Sequence, residues 1–140
     1  KGYLEMRGAD GGPWDRICAL PAVWVGLLYN EVALKSSEDL AKQISYNEVI
    51  EATISSSKLG LKGKIGKFKI DEIAKEILNI AKFGLQSRQQ LNSSGDNETG
   101  YLAPLFSMVE NKKTLADEML ENYSSIWNKK TEMAFKNQMI

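Results

Sequence analysis

The chain has 140 residues, 43% of them hydrophobic, which suits one ordinary domain able to bury roughly two-thirds of its unfolded surface. Its 18 Lys and Arg balance 18 Asp and Glu, so no excess charge exists to hold a phosphate backbone or an anionic membrane, and neither nucleic acid nor a membrane is expected as a partner. Cys18 is the sole cysteine and histidine is absent, which excludes a disulfide framework, Ser-His-Asp and Cys-His nucleophile systems and the usual zinc sites.

Any chemistry therefore falls to carboxylates, Arg, Lys and a bound metal, in a setting compatible with a reducing cytosol. The chain opens on Lys1 rather than Met, as expected of a segment with further residues upstream.

Tyr3, Leu4, Glu5, Met6 and Arg7 alternate and stop at the breaker-rich run Gly8-Ala9-Asp10-Gly11-Gly12-Pro13. This pattern predicts a short strand over 3–7 entering a glycine turn. With a period of two, Leu4 and Met6 share one face while Tyr3, Glu5 and Arg7 share the other. Pro13 suits the first turn of a helix, where its missing N–H costs nothing, and Asp10 or Gly12 can cap it. Pro21 falls inside that helix, predicting a kink or break near Leu20. The stretch 22–34 reads as a second helical piece, apolar nearly all round and hence covered. The apolar run 17–29 is too short to cross a bilayer.

Ser36 and Ser37 before Glu38 and Asp39 predict a helix start, with Leu40, Ala41 and Ile44 as a weak stripe to about Ser45. A short helix is expected over 47–54. After it, Ser55-Ser56-Ser57-Lys58 and glycines 60, 63 and 66 predict a long, basic, exposed connection. The clearest amphipathic helix starts at Ile70, with Ile73, Ala74, Ile77, Leu78, Ile80, Ala81 and Leu85 inside and Lys75 and Lys82 outside. The polar run 92–100 predicts a disordered loop. A helix is expected over 102–109 with Pro104 in its first turn. Another follows the capping-box sequence Thr114-Leu115-Ala116-Asp117, carrying Met119, Leu120, Tyr123 and Trp127. Residues 131–139 suggest a last short helix or a frayed tail. The fold class is thus α+β and predominantly helical.

Functional residue types concentrate only in the strand, turn and helix start over 3–14. Glu5 and Arg7, two residues apart on one strand face, have roots about 7 Å apart. That spacing lets a carboxylate hold a divalent ion beside a guanidinium on a phosphoryl oxygen. Phosphoryl transfer onto a carboxylate crowds negative charge, which metal ions and a fixed cation must offset, and Arg7 is such a cation. The spacing is equally that of a surface ion pair on an edge strand, worth about 0–1 kcal/mol and without function. The glycines fit no P-loop or dinucleotide fingerprint and can simply permit a tight turn. Cys18 reads as a packed small hydrophobe, and Trp14 and Trp24 as core. Lys62, Lys64, Lys67 and Lys69 read as a solvated loop with a lesser prospect of touching ATP phosphates or a neighbouring chain.

The stretch Tyr3-Leu4-Glu5-Met6-Arg7-Gly8-Ala9-Asp10-Gly11-Gly12-Pro13-Trp14, continuing through Cys18-Ala19-Leu20-Pro21-Ala22 and Trp24-Val25-Gly26-Leu27-Leu28-Tyr29, closely resembles glutamate–cysteine ligases of the plant and alphaproteobacterial type. Ala81-Lys82-Phe83-Gly84-Leu85 and Leu120-Glu121-Asn122-Tyr123 are similar to the C-terminal part of that family more loosely. The resemblance implies a C-terminal portion, over 1–140 and without internal boundary, of a larger catalytic domain. Its N-terminal strand would belong to a glutamine-synthetase-like antiparallel sheet, followed by a helical region. The implied activity is ATP-dependent joining of the γ-carboxylate of glutamate to the amine of cysteine through γ-glutamyl phosphate, the first step of glutathione biosynthesis, in the cytoplasm. ATP and Mg²⁺ are the implied cofactors, with Glu5 a Mg²⁺ ligand and Arg7 both an ATP-phosphate contact and a stabiliser of the acyl phosphate. Glutamate, cysteine and ATP would be the small-molecule partners, and the rest of the ligase chain would supply the remaining ligands. The isolated chain is then expected to be inactive. Plant members use cysteine pairs for redox control, and Cys18 lies where such a cysteine could sit, without a second cysteine in the chain. A non-catalytic helical binding or regulatory module derived from the same terminus is the competing reading, to be separated by whether acidic strand residues precede Lys1.

Overall fold

The computed structural model describes residues 11–133 together with Gly2, Glu5, Gly8, Ala9 and Phe135. Among these, six α-helices and a two-stranded hairpin appear: α1 (Trp14–Leu28), α2 (Glu31–Ala41), α3 (Tyr46–Leu59), β1 (Lys64–Ile65), β2 (Phe68–Lys69), α4 (Ile70–Arg88), α5 (Ala103–Asn111) and α6 (Leu115–Ser124). The predominantly helical class with some β structure is as expected. The strand expected over 3–7 lies outside the described residues except for Glu5, which stands in irregular backbone. A strand is defined by ladder bonds to a neighbour, and its implied partners would lie elsewhere in a larger sheet.

Helix α1 begins on Pro13, in extended backbone, whose carbonyl accepts from the N–H groups of Arg16 and Ile17 at 2.9 and 3.0 Å. It does not break at Leu20. Pro21 is exposed, so the backbone bond that it cannot make is lost at the helix surface rather than inside the core. The break falls instead at Tyr29 and Asn30. Asn30 is extended, its side chain accepts from Ala33 N–H at 3.0 Å, and α2 leaves at 95° to α1. The single helix read over 22–34 is therefore the end of one helix and the start of another. Ser36 and Ser37 lie within α2, where the Ser37 hydroxyl donates to the Ala33 carbonyl at 2.8 Å instead of capping. No single helix is long and apolar enough to cross a membrane among the described residues.

Ser45 and Glu48 form a capping box that starts α3: the Ser45 N–H donates to Glu48 Oε2 at 2.7 Å and Ser45 Oγ accepts from the Glu48 N–H at 3.3 Å. Helix α3 runs to Leu59, so Ser55 to Lys58 are helical rather than connecting. The hydroxyls of Ser56 and Ser57 fold back onto the carbonyls of Thr53 and Ile54, which removes their incentive to unwind the turn. The basic connection is a hairpin in which Lys64 pairs with Lys69 and Ile65 with Phe68. Gly66 takes φ 54° at the first of two loop positions, the place a tight hairpin turn reserves for glycine. The four lysines 62, 64, 67 and 69 are exposed, as read.

Helix α4 forms as its periodicity demands and is the hub, with α1, α2 and α5 packed on it. One core cluster joins Ala22, Leu27, Ala33, Ile80, Ala81, Leu85 and Leu102; another joins Leu61, Leu78 and Val109. Where α1 crosses α4, Gly26 and Gly84 allow the two backbones to touch: a Cβ at Gly26 would overlap the Ala81 carbonyl oxygen, and one at Gly84 the Gly26 carbonyl oxygen.

The run 92–100 is folded, not disordered. Asn92 Oδ1 accepts from the N–H groups of Ser94 and Asp96, both at 2.9 Å, while Gly95 turns the chain at φ 85°. Leu91 bridges Asn97, whose side chain then caps the 3₁₀ turn Glu98–Leu102. Polar composition here serves an Asx-type turn, which satisfies its own backbone groups locally. Pro104 sits in the first turn of α5 and the Thr114–Asp117 capping box starts α6, both as predicted. Met133 and Phe135 are the described apolar residues of the tail; a helix over 131–139 lies largely outside the described residues.

Lys112 is held in left-handed backbone at the end of α5, and its Nζ reaches Asp71 Oδ2 at 2.7 Å. This hydrogen bond holds the Asp71 carboxyl below the usual carboxylate range, although burial opposes it, and ties the start of α4 to the end of α5.

Candidate functional site

Of the two residues expected to carry chemistry, Glu5 is exposed and engaged in an interaction of its own, and Arg7 lies outside the described residues. Among those residues no group of three or more His, Cys, Asp or Glu converges as a metal shell.

The glycine turn has a clear structural role. Gly11, Gly12 and Ala9 form one wall of a cleft of about 670 Å³, closed elsewhere by α1, α4, α5, Leu61 and Leu115. A Cβ on Gly12 would come within 3.3 Å of Arg16 Cβ, so the turn lies directly against the first turn of α1. Trp14, expected in the core, is 69% exposed at the head of that helix, whereas Trp24 packs against the core as read. Trp14 faces outward because the cleft-facing stripe of α1 is Arg16, Leu20, Val23 and Trp24, and a residue two positions before Arg16 falls on the opposite side.

Arg16 is the residue that reading the motif missed. Its side chain is 20% exposed, and its Nε and Nη1 are buried without a hydrogen-bond partner among the described residues. Asp15 Oδ2 lies 3.7 Å from Nε, close enough for attraction and too far for a hydrogen bond. A signal was present: Arg16 sits four residues before Leu20 and seven before Val23, on the apolar stripe rather than the polar face.

Cys18 is half-buried in a smaller pocket of about 260 Å³, with Glu98 and Tyr101 on its far wall. Beside it Arg88 Nε approaches Glu98 Oε2 at 3.3 Å while its guanidinium lies 5.5 Å from the Tyr29 ring centroid.

The segment Gly11–Gly12 and the start of α1 thus border a cleft in which, among the described residues, the half-buried Arg16 guanidinium has two nitrogens without a hydrogen-bond partner. A comparison with known families decides its affiliation, since the glutamate-cysteine ligase family 2 (GCS2) model matches residues 1–137. The chain belongs to that family. It is 38% identical over 138 residues to the chloroplastic glutamate–cysteine ligase of Nicotiana tabacum, covering 97% of this chain and 25% of the tobacco protein. Identity is likewise 38% over 136 residues to glutamate–cysteine ligase A of Oryza sativa subsp. indica, covering 97% of this chain and 26% of that one. The Arabidopsis thaliana enzyme is also 38% identical, with 97% and 25% covered. The chain spans about a quarter of the length of these curated relatives. Within the family, the matched region takes in both the 3–14 motif and the helices that carry the cleft.

Proposed function

We propose that this chain forms part of the active site of a glutamate–cysteine ligase, in which ATP activates the γ-carboxylate of glutamate as an acyl phosphate and the amine of cysteine displaces phosphate. The observation that carries this reading is the family match across 1–137, which includes the Glu5 and Arg7 motif.

Arg7 is assigned to the developing charge on the transferred phosphoryl and acyl oxygens. A guanidinium stays charged at any working pH and donates two parallel bonds, so it suits an acyl phosphate whose negative charge is shared by neighbouring oxygens. Glu5 is assigned as a Mg²⁺ ligand from its place in the family motif, a carboxylate oxygen being a donor that Mg²⁺ takes. Bound Mg²⁺ and ATP would supply the phosphoryl group and neutralise its charge. The chain's own contribution is to carry Glu5 and Arg7 in sequence just before the glycine-rich segment that packs against the first turn of α1. The remaining substrate ligands come from other parts of the ligase. On this reading the 140 residues alone are inactive, and the lone thiol of Cys18 suits a reducing compartment such as the cytoplasm.

The test is Arg7→Ala in the full-length ligase, assayed by mass-spectrometric detection of γ-glutamylcysteine and by circular dichroism. The expected result is a rate loss on the order of 10²–10³ with the helical signal unchanged. Near-normal turnover in the folded variant would overturn the assignment. Glu5→Gln is expected to raise the Mg²⁺ concentration needed for half-maximal rate, and an unchanged requirement would remove Glu5 from the metal site.

A further inference from the structure

We infer that the α1–α4–α5 cleft is the seat of an apolar segment from the remaining part of the ligase, and that this segment brings a carboxylate to Arg16. The inference rests on the chain being part of a ligase, and is independent of the roles assigned to Glu5 and Arg7.

The cleft itself argues for a protein occupant. At about 670 Å³, and lined by Ile17, Leu20, Val23, Ile77, Leu105 and Met108, it is an open groove walled mainly by apolar side chains. Water placed against such side chains would lack hydrogen-bond partners. Ile17 and Leu20 at its rim are 46% and 36% exposed, so apolar surface continues outward from the cleft rather than ending at it. A contiguous apolar concavity of this kind marks an interaction surface.

Arg16 states what the occupant must carry. A guanidinium with two buried nitrogens that have no hydrogen-bond partner among the described residues is costly, and the neighbouring Asp15, 57% exposed and 3.7 Å away, offsets that only in part. The fork geometry of the group selects a carboxylate, which can accept two parallel bonds. A second cation would be repelled, and a purely apolar segment would seal the guanidinium away from water unpaired. The relatives supply the source of such a segment, because this chain covers 25% of the tobacco enzyme and leaves the larger share of that fold to pack against it.

The experiment uses the full-length ligase, with p-benzoylphenylalanine placed at position 20 and irradiated, followed by peptide mapping. The expected product is an intramolecular cross-link from position 20 to a stretch outside 1–140 that has Asp or Glu within a few residues. Cross-linking to a second copy, to residues of 1–140 alone, or to no peptide at all would overturn the proposal. The second measurement is coupling. Arg16→Met, which keeps the stem and removes the charge, is expected to lower the urea midpoint by about 1 M by leaving the partner carboxylate buried and unpaired. Replacing that acid as well, by Leu, is expected to recover at least half of the loss. Additive losses from the two substitutions would show that they do not meet. Neither readout depends on turnover, so an inactive Arg7 variant and a failed cross-link would point to different errors.

Discussion

Gly84→Ala tests the central helix crossing most directly. A methyl group there would overlap the carbonyl oxygen of Gly26, stand 2.8 Å from its carbonyl carbon and come within 3.2 Å of Ala33 Cβ. Two of these three neighbours are backbone, so no side-chain rotation relieves the clash and α1 must move off α4. Overpacking of a core typically costs about 1–3 kcal/mol, and the backbone contact places this case near the upper end, about 3 kcal/mol. Alanine returns up to about 1 kcal/mol through its better helix propensity. The net loss is therefore about 2 kcal/mol, which at a urea slope of about 2 kcal/mol per M is a midpoint shift of about 1 M. Urea denaturation followed by circular dichroism, with Gly100→Ala as control, measures it: Gly100 has nothing within 4 Å of a built Cβ, and its variant should move by no more than about 0.5 kcal/mol. A Gly84→Ala midpoint equal to or above that of the parent would refute the close crossing.

Other substitutions probe separate layers. Leu102→Ala empties a fully buried site beside Leu85 and should cost about 2–5 kcal/mol in the same denaturation assay. Thr114→Ala removes the hydroxyl that accepts from the Asp117 N–H at 3.2 Å, with an expected loss of about 1 kcal/mol and reduced hydrogen-exchange protection confined to α6. Asp71, Glu48 and Asp117 all have carboxyl groups held below the usual range by hydrogen bonds, from Lys112, the Ser45 backbone and the Thr114 backbone respectively. The unfolded chain therefore binds more protons than the folded one as pH falls through the carboxylate range. Stability from these groups is complete above about pH 5.5 and is lost progressively as the pH falls below it. Asp71→Asn should flatten that decline in midpoint-against-pH curves, and an unchanged slope would show that the Lys112 contact contributes nothing to it.

Much of the fold was legible locally. The apolar spacing from Ile70 to Leu85, Pro104 in the first turn of α5 and the capping box at Thr114 each rest on interactions within a few residues, and each element formed where that chemistry placed it. The motif over 3–14 was legible through its resemblance to a known family, and the family match confirms that affiliation while leaving the roles of Glu5 and Arg7 to experiment. Errors arose where one local signal was weighed without its surroundings. Pro21 is tolerated because its face of α1 is exposed, and the polar run 92–100 folds because Asn92 takes the place of a backbone partner.

Composition and spacing by themselves determined a mostly helical chain without histidine chemistry, and the likeness of its first residues to a known family supplied the ligase motif. Only the tertiary structure showed that Arg16 faces an apolar cleft and that Gly26 and Gly84 bring two helices into backbone contact. Both depend on which residues of distant segments share a space: the burial of a charge and the approach of two helices are properties of the packed neighbours, not of the residue's own stretch of chain.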